Sequence, residues 1–496
     1  MNPTPIRMLA ALSAAMLSAC APLGERSRAG GPFDGGGYAV EVCDAAYGGR
    51  VAACTLAGEG SRQAIRANLI SGDRLFVGGT LVIGADGRVE AAGCVPAPAD
   101  AVLIDCPGAL ASAGLINLHE HIDYSYQQPD KPPVLKWAHR NEWRKLTAPE
   151  RGFEGDAPRD KTVAAEVSER AMLRHMMSGE TAISGAKDYR AFLRNLKLTE
   201  LPLATPAPRP LLDNTFPVND AASRDILAAP CSAEQVAAVR FTPDSPFIPH
   251  VGEGVNDGAR YEVDCVLDAI KAKSTPSAFI HGVAITEPQA GRLKRQGVAV
   301  VLSPRSNFQL YGAMAPVAAL KSLDVTLAIG TDWSPSGSLT LLDEARCLAR
   351  YNRDALNGLL RPADLHRMMT RDAARAVGLQ GQIGALAPGE LADLLLVDTQ
   401  GARDLGEVLA KTALPQTLAV MVAGRLASAP RSWQGRLPQL ENCAPDPRDL
   451  CGGQRVVCGA SAQRPLDLLL RQSAYTIDDA RLCTPQPTDD CVASRR

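Results

Sequence analysis

The sequence predicts an α/β fold, a barrel in which short parallel strands alternate with helices. Short apolar runs at 113–118, 277–280 and 299–302 are each followed by glycine or polar residues, as strands are where they end at a loop. Helix-like stretches lie between such runs, and this alternation is typical of a parallel barrel. The 496 residues are enough to bury one large barrel core and smaller additions.

The individual elements can be placed in order along the chain. Residues 65–110 hold short β-rich runs separated by glycine turns, and the Asp86-Gly87 pair predicts a hairpin. A Pro-rich irregular loop is expected at 199–217. Further strands are predicted at 180–186, 392–398 and 417–424, and helices at 162–178, 285–296, 339–351 and 362–377.

The composition excludes one class of partner. Apolar residues make up 46% and charged residues 21%, which is ordinary for a globular protein. The formal net charge is −2, so the chain has no basic excess with which to neutralise phosphates. Nucleic-acid binding is therefore not expected.

The N-terminus predicts a targeting segment. Arg7 precedes an apolar stretch at 8–19 that is too short to span a bilayer. The stretch ends in Leu-Ser-Ala-Cys at Cys20, which resembles a bacterial lipobox and implies cleavage before Cys20 and its lipidation. The alternative is an ordinary signal peptide followed by a chance cysteine. Ala21 favours the outer membrane over inner-membrane retention, and 21–37 is a Gly-rich tether.

These features predict a lipid-anchored protein of the bacterial cell envelope, on the outer membrane and facing the periplasm or the cell surface. Contact with the membrane is expected only through the anchor. Removing Cys20 from the thirteen cysteines leaves an even number, which favours disulfides in an oxidising compartment. Cys43 with Cys54, or Cys94 with Cys106, could each close a local loop, although pairing cannot be derived from sequence.

The strongest local signal is His119-Glu120-His121 at the end of an apolar run. Residues i and i+2 of a strand point to the same face, so both imidazoles could bind one metal ion. The chain has only seven histidines, and His250 and His281 also end apolar runs, as does the carboxylate Asp332. Any one of these could be a structural polar residue. Together they suit a catalytic Zn or Fe site that keeps one position open.

Six segments carry a family resemblance that covers about residues 65–425. The chain resembles the amidohydrolase superfamily, in particular its chlorohydrolases, cytosine-type deaminases and imidazolonepropionases. The segments are Gly114 to His121, His250 to Glu253, Ile280 to Val283, Leu302 to Asn307, Ile329 to Asp332, and Gly384 to Leu394.

The resemblance implies a distorted (β/α)8 TIM-type barrel flanked by a small β-sandwich, which segments from both flanks of the chain build together. Beyond about residue 428, the chain departs from the family pattern. The predicted organisation is a signal peptide at 1–19, a tether and Cys-containing segment at 20–64, β-sandwich parts at 65–110 and 384–427, the barrel at 111–383, and a Cys-rich appendage at 428–496.

The resemblance also implies one divalent ion, Zn or Fe, bound by His119, His121, His250 and Asp332. Such an ion lowers the pKa of a bound water to about 7, and the resulting hydroxide attacks an amide, a cyclic amide or an amino-heterocycle. Asp332 would accept the proton of the water. A second ion would need a bridging anion, usually a carboxylated lysine or a glutamate. Residues 211–249 contain no lysine, and their carboxylates lie mostly in Pro- and Ala-rich loop or helix contexts, so one ion per chain is expected.

The roles of the remaining site candidates stay open. Glu253 could pass a proton to the leaving nitrogen, or it could be a solvated loop carboxylate. His281 could bind the metal or polarise the substrate. Arg305, with Asn307, could bind a substrate carboxylate or form an ion pair on the barrel rim. His139 could line the pocket or belong to a packed surface helix.

The function expected from the sequence is hydrolysis of a carbon–nitrogen bond, other than a peptide bond, in a small molecule. The alternative is a lipoprotein that keeps the barrel only as a metal-binding module. The intact set of ligands favours the enzyme.

Overall fold

The fold combines one large mixed sheet with two groups of short parallel strands. The computed structural model describes residues 33–125, 136–146, 161–185, 193–196, 216–218, 225–440, 443–445, 451–458 and 482–494. Cys20 lies outside these ranges. Within them, no helix combines the length and apolar character needed to span a bilayer.

The strands occur in two sets. Those of the flanks are β1 (Ala39–Val42), β2 (Thr55–Ala57), β3 (Arg62–Ser71), β4 (Arg74–Ile83), β5 (Val89–Gly93) and β6 (Ala101–Ala113), and, near the other end, β14 (Leu394–Asp398), β15 (Thr417–Val422), β16 (Arg425–Pro430), β17 (Ala444–Pro445) and β18 (Arg455–Val457). Between them lie β7 (Leu115–Asn117), β8 (Glu180–Ile183), β9 (Arg194–Asn195), β10 (His250–Val251), β11 (Ser277–His281), β12 (Val298–Leu302) and β13 (Leu327–Ile329).

The helices lie mainly between these central strands. They are α1 (Arg140–Arg144), α2 (Lys161–Met177), α3 (Ala233–Ala238), α4 (Asp257–Ala269), α5 (Glu287–Gln296), α6 (Pro304–Tyr311), α7 (Val317–Ser322), α8 (Leu341–Ala355), α9 (Pro362–Met368), α10 (Arg371–Ala376) and α11 (Leu405–Lys411).

One of the predicted helices is divided. The stretch 362–377, expected as a single helix, is broken between α9 and α10 at Met369 and Thr370. The break frees the carbonyl of Met369, which accepts a hydrogen bond of 2.7 Å from the amide of Ile116 in β7. Sequence periodicity does not register such a bond, because it depends on a strand from elsewhere in the chain.

The central strands pair in parallel, in the orders β7-β8-β9 and β10-β11-β12-β13. A parallel bridge between Glu120 and Asp332, just beyond β7 and β13, joins the two groups. The predicted α/β class is confirmed, and the strand order is TIM-barrel-like. Closure into an eight-stranded barrel is not confirmed, because the described residues form no ladder between β9 and β10.

Both flanks of the chain join one 11-stranded sheet. Strand β6 pairs with β14 in antiparallel register, from Ala113 opposite Leu394 to Ala109 opposite Asp398. This pairing agrees with the implied meeting of the two flanks. It does not establish the two packed layers of a β-sandwich.

Six disulfides link cysteines of the described residues in the flanks, the central part and the C-terminal segment. The pairs are Cys43–Cys94, Cys54–Cys106, Cys231–Cys265, Cys347–Cys491, Cys443–Cys458 and Cys451–Cys483. The local pairings considered from the sequence are wrong, because sheet neighbours determine the partners. Cys54, for example, precedes β2, which pairs with β6 beside Cys106.

Candidate metal centre

Three imidazoles converge where the parallel strands end. His119 and His121 follow β7, and His250 begins β10. The Nε2 atom of His119 lies 3.2 Å from that of His121 and 3.0 Å from that of His250, and the latter two are 3.2 Å apart. Bonds of 2.0–2.1 Å to a tetrahedral ion would place the nitrogens roughly 3.3 Å apart. The three nitrogens therefore fit one ion.

Asp332 supplies a fourth donor atom. Its Oδ1 lies 3.2 Å from His119 Nε2 and 3.4 Å from His121 Nε2. His119, His250 and Asp332 are buried, whereas the side chain of His121 is 26% exposed. Nitrogen donors with one carboxylate, open to solvent on one side, fit a divalent metal with room for water or substrate.

Burial keeps the imidazoles in the form that binds metal. It lowers the pKa of His119 to about 4, and it lowers the pKa of His250 well below its ordinary value, so both are neutral at pH 7. For Asp332, burial acts to raise the pKa, but the nearby histidines, His119 first, hold it below the ordinary value. The centre thus offers the neutral nitrogens of His119 and His250 and one carboxylate.

His281 lies beside this group of donors. Its Nε2 is 3.7 Å from Glu253 Oε1 and 3.9 Å from Asp332 Oδ2. Its Nδ1 lies 2.9 Å from Asn307 Oδ1, which only accepts, so Nδ1 donates this hydrogen bond and Nε2 faces the centre. This arrangement permits either role that the sequence left open.

The backbone is strained at two site residues. His281 has φ 68° and Asp332 has φ 61°, both in the left-handed region that non-glycine residues rarely occupy. Such residues cost about 1–3 kcal/mol each and persist only where surrounding contacts hold them. For Asp332, one such contact is the 2.8 Å bond from its amide to the carbonyl of His119.

Glu253 is not a solvated loop residue, because its side chain is buried. The hydroxyl of Tyr311 donates to Glu253 Oε1 at 2.5 Å, and Trp143 Nε1 donates to the Tyr311 oxygen at 2.9 Å. Burial, and next the charge of Glu253, raises the pKa of Tyr311 well above its ordinary value, so Tyr311 keeps the proton that it donates. The sequence analysis missed Tyr311, although it lies four residues after Asn307, on the same face of one helix.

Helix α6 and the serine before it hold much of the site in place. Each of four side chains contacts a different site residue: Ser303 Oγ lies 2.7 Å from His119 Nδ1, Ser306 Oγ donates to Asp332 Oδ2 at 2.5 Å, Asn307 contacts His281, and Tyr311 contacts Glu253.

Arg305 is engaged away from the metal centre. Its Nε donates to Ser338 Oγ at 2.9 Å, one terminal nitrogen donates to Asp490 Oδ1 at 2.5 Å, and the other donates to the carbonyl of Pro487 at 2.9 Å. These contacts favour the ion-pair interpretation over a substrate carboxylate. Asn307 is likewise engaged, with His281.

His139 precedes α1 rather than lying within it. Its Nδ1 accepts a hydrogen bond of 3.1 Å from the amide of Asn141, which caps the helix. Burial, together with neighbouring Arg140, lowers the pKa of His139 to about 3. His139 therefore caps α1 instead of lying on its face, and a packed structural role agrees better with these contacts than pocket lining.

Comparison with known proteins finds a family resemblance over part of the chain. A model of the amidohydrolase family matches residues 258–427. A 5-methylthioadenosine/S-adenosylhomocysteine deaminase of Syntrophobacter fumaroxidans is 40% identical over 24% of this chain and 28% of its own length. A probable guanine deaminase of Deinococcus radiodurans is 32% identical over 39% of this chain and 47% of its own length. The chain thus aligns with less than half of each relative.

Solved structures agree in fold. A zinc-bound adenosine deaminase from Xanthomonas campestris has a TM-score of 0.52 at 19% identity, covering 75% of this chain and 93% of its own. A guanine deaminase from C. acetobutylicum with bound guanine has a TM-score of 0.53 at 16% identity, covering 74% and 99%. Residues 258–427 are thus similar to the amidohydrolase family, and the solved deaminase structures share the fold of this chain.

Proposed function

We propose that this protein is a metal-dependent hydrolase that removes the amino group of a small heterocycle by cleaving a carbon–nitrogen bond. The observation that carries the proposal is the convergence of three imidazole nitrogens and the Asp332 carboxylate beside the buried Glu253. The deaminase names of the relatives support the same reaction. We further propose one ion per chain, with Zn favoured over Fe.

The proton transfers follow from the orientation of the two carboxylates. His119, His121, His250 and Asp332 would hold a divalent ion, which would supply Lewis acidity and lower the pKa of a bound water to about 7. Ser306 donates to Asp332 Oδ2, and Oδ1 lies beside the nitrogens of His119 and His121. In this orientation the Asp332 carboxylate would accept the proton of the attacking water. Tyr311 holds Glu253 Oε1, whereas Oε2 has no hydrogen-bond partner among the described residues. Oε2 is therefore the atom that would pass the proton taken from the water to the leaving nitrogen, which departs as ammonia.

Aromatic side chains beside the centre support a planar substrate. Trp333 directly follows Asp332 and stacks on Trp143 with 5.3 Å between ring centroids and 27° between planes. Tyr124, which is 43% exposed, lies edge-on to Trp333 at 5.6 Å and 6.2 Å from the ring of His121. Aromatic surfaces of this kind favour flat rings, so an amino-heterocycle is the better candidate than an open-chain amide.

Ammonia release tests this proposal. The zinc-loaded protein is incubated with aminopurines, aminopyrimidines and aminotriazines, and separately with cyclic amides, whose hydrolysis is followed by ring opening. We expect ammonia from at least one amino-heterocycle, released roughly 10²–10⁴ times more slowly by the Glu253→Gln variant, which controls for contaminating deaminases. If only the cyclic amides react, by ring opening, the proposed function becomes cyclic-amide hydrolysis and not deamination. No turnover on either panel would favour the non-catalytic metal-binding module.

We also propose that lipidated Cys20 anchors the protein to the outer membrane, and that its only other partner is the small-molecule substrate. The lipobox-like sequence supports the anchor. Cys20→Ser should release the protein from the membrane fraction without changing its metal content. A mature chain that begins elsewhere and carries no lipid would contradict the anchor. We propose, in addition, that the parallel strands close into a barrel and that the flanks form a two-layered β-sandwich. The strand order and the pairing of the two flanks in one sheet support this fold.

A further inference from the structure

The C-terminal segment 482–494 packs against the side of α6 that faces away from the metal centre. A disulfide joins Cys491 to Cys347 in α8, the helix that contacts α6. Further along, the amide of Ser494 donates at 3.0 Å to the carbonyl of Gly312, which ends α6. The segment is therefore fixed to two helices of the metal-bearing part of the chain.

Within this segment, Asp490 binds two turns of α6 at once. Its Oδ1 accepts from Arg305, and its Oδ2 accepts from Gln309 Nε2 at 2.9 Å. Arg305 and Gln309 are four residues apart and share one face of the helix. The Arg305 side chain is only 8% exposed and that of Asp490 is 28% exposed, so solvent screens this ion pair weakly.

The other side of α6 contacts the ligands of the metal centre. Ser303, at its start, contacts His119, and Ser306 donates to Asp332. The helix has eight residues, a length at which an isolated helix is not stable in water. Its position therefore depends on what packs against it, and Asp490 provides two of those contacts.

We propose that Asp490 is a positioning residue for the metal centre. By holding Arg305 and Gln309, it fixes the placement of α6, and through Ser303 and Ser306 it fixes the orientation of the ligands His119 and Asp332. Groups that orient metal ligands in this way change metal affinity by 10–100-fold when they are removed. The inference rests on the proposed function only in requiring that the centre binds a metal.

Zinc affinity of the full chain tests the proposal without any substrate. Transfer of Zn²⁺ to a chromogenic chelator is compared for wild type, Asp490→Asn and Asp490→Glu. The matched control is Asp489→Asn, because the side chain of Asp489 is 94% exposed and its Arg350 contact is 3.8 Å long. We expect about tenfold weaker Zn²⁺ binding for Asp490→Asn, substantial recovery for Asp490→Glu, and no change for Asp489→Asn.

Two further measurements separate positioning from general stability. The absorption spectrum of the Co²⁺-loaded protein reports ligand geometry, and it should change in Asp490→Asn but not in the control. If the Asp490 variants fold poorly, Gln309→Ala removes one of the two helix contacts without leaving a buried charge, and it should weaken Zn²⁺ binding in the same direction.

A lowered melting temperature with unchanged Zn²⁺ affinity and Co²⁺ spectrum would overturn the proposal and make Asp490 purely structural. Altered Zn²⁺ affinity in a protein that deaminates nothing would leave the positioning role intact and remove the proposed function. If the protein deaminates a substrate but substitutions at Asp490 and Gln309 leave its Zn²⁺ affinity unchanged, the proposed function stands and the positioning role is removed.

Discussion

Glu253 owes its position to a chain of two hydrogen bonds. Trp143 donates to Tyr311, and Tyr311 donates to one oxygen of Glu253. Because both donors are buried, the carboxylate cannot rotate freely and its second oxygen is kept for another partner. A carboxyl group held in this way is suited to a single directed proton transfer.

The proton-transfer role predicts a specific loss in Glu253→Gln. The amide can still accept from Tyr311 but cannot supply a proton, so the rate on any substrate found for this protein should fall by roughly 10²–10⁴. Metal content and the unfolding midpoint should match wild type. Turnover within a factor of two of wild type would show that another group protonates the leaving nitrogen.

Glu344 of α8 is a second buried carboxyl group, with a different consequence. Burial, partly offset by Arg305, raises its pKa from 4.5 to about 8. Between these two pH values, the unfolded chain has lost the proton that the folded chain retains. The free energy of unfolding therefore falls as the pH rises from about 4.5 to about 8 and levels off above that.

Glu344→Gln should remove this decline, because an amide does not titrate. Over this pH range, the free energy of unfolding of wild type should fall relative to that of Glu344→Gln by a few kcal/mol at most. This limit follows from the difference between the folded and unfolded pKa values of Glu344. Urea unfolding at pH 5, 7 and 8.5 measures it, with the exposed Glu287→Gln as control. Parallel stability profiles for wild type and Glu344→Gln would contradict the assignment.

At the scale of elements, α6 is the part of the fold that connects the metal ligands to the rest of the molecule. It follows β12 directly, so the strand fixes where the helix begins. The motif around it was recognised from the sequence, but its serines received no role. Their contacts are with residues far along the chain, and such contacts have no local sequence signal.

Ser306→Ala should weaken metal binding by 10–100-fold, because Asp332 Oδ2 then loses its donor and the carboxylate can turn away from the histidines. Ser322→Ala, which removes an exposed hydroxyl at the end of α7, serves as the control. Competition with a chelator measures both variants. Equal zinc affinity in the two would mean that Asp332 is oriented without Ser306.

At the scale of the whole molecule, the ligand-type residues could be predicted because each directly follows a short apolar run, and the loops after parallel strands lie on one side of the sheet. The pairing of β6 with β14 was accessible only through family resemblance. The disulfide partners were not accessible at all. Cys347 and Cys491 lie 144 residues apart, and only the folded arrangement of α6 and α8 makes them neighbours.

One cluster of donors predicts one ion per chain. Metal-saturated protein, washed free of weakly bound ions, should contain about one equivalent by elemental analysis. His121→Ala should lose most of it, since one of the converging nitrogens disappears. His366→Gln should retain it, because His366 contacts Tyr38 rather than this cluster. A reproducible value near two would require a bridged pair of ions.

The antiparallel contact between β6 and β14 also sets an order of events during synthesis. The whole metal-bearing segment lies between these two strands in the sequence. The edge of β6 that pairs with β14 therefore stays unpaired until residues 394–398 have left the ribosome. Unpaired edges of this kind recruit other chains. A chain that stops before residue 394 would therefore leave the β6 edge unpaired and be prone to aggregate.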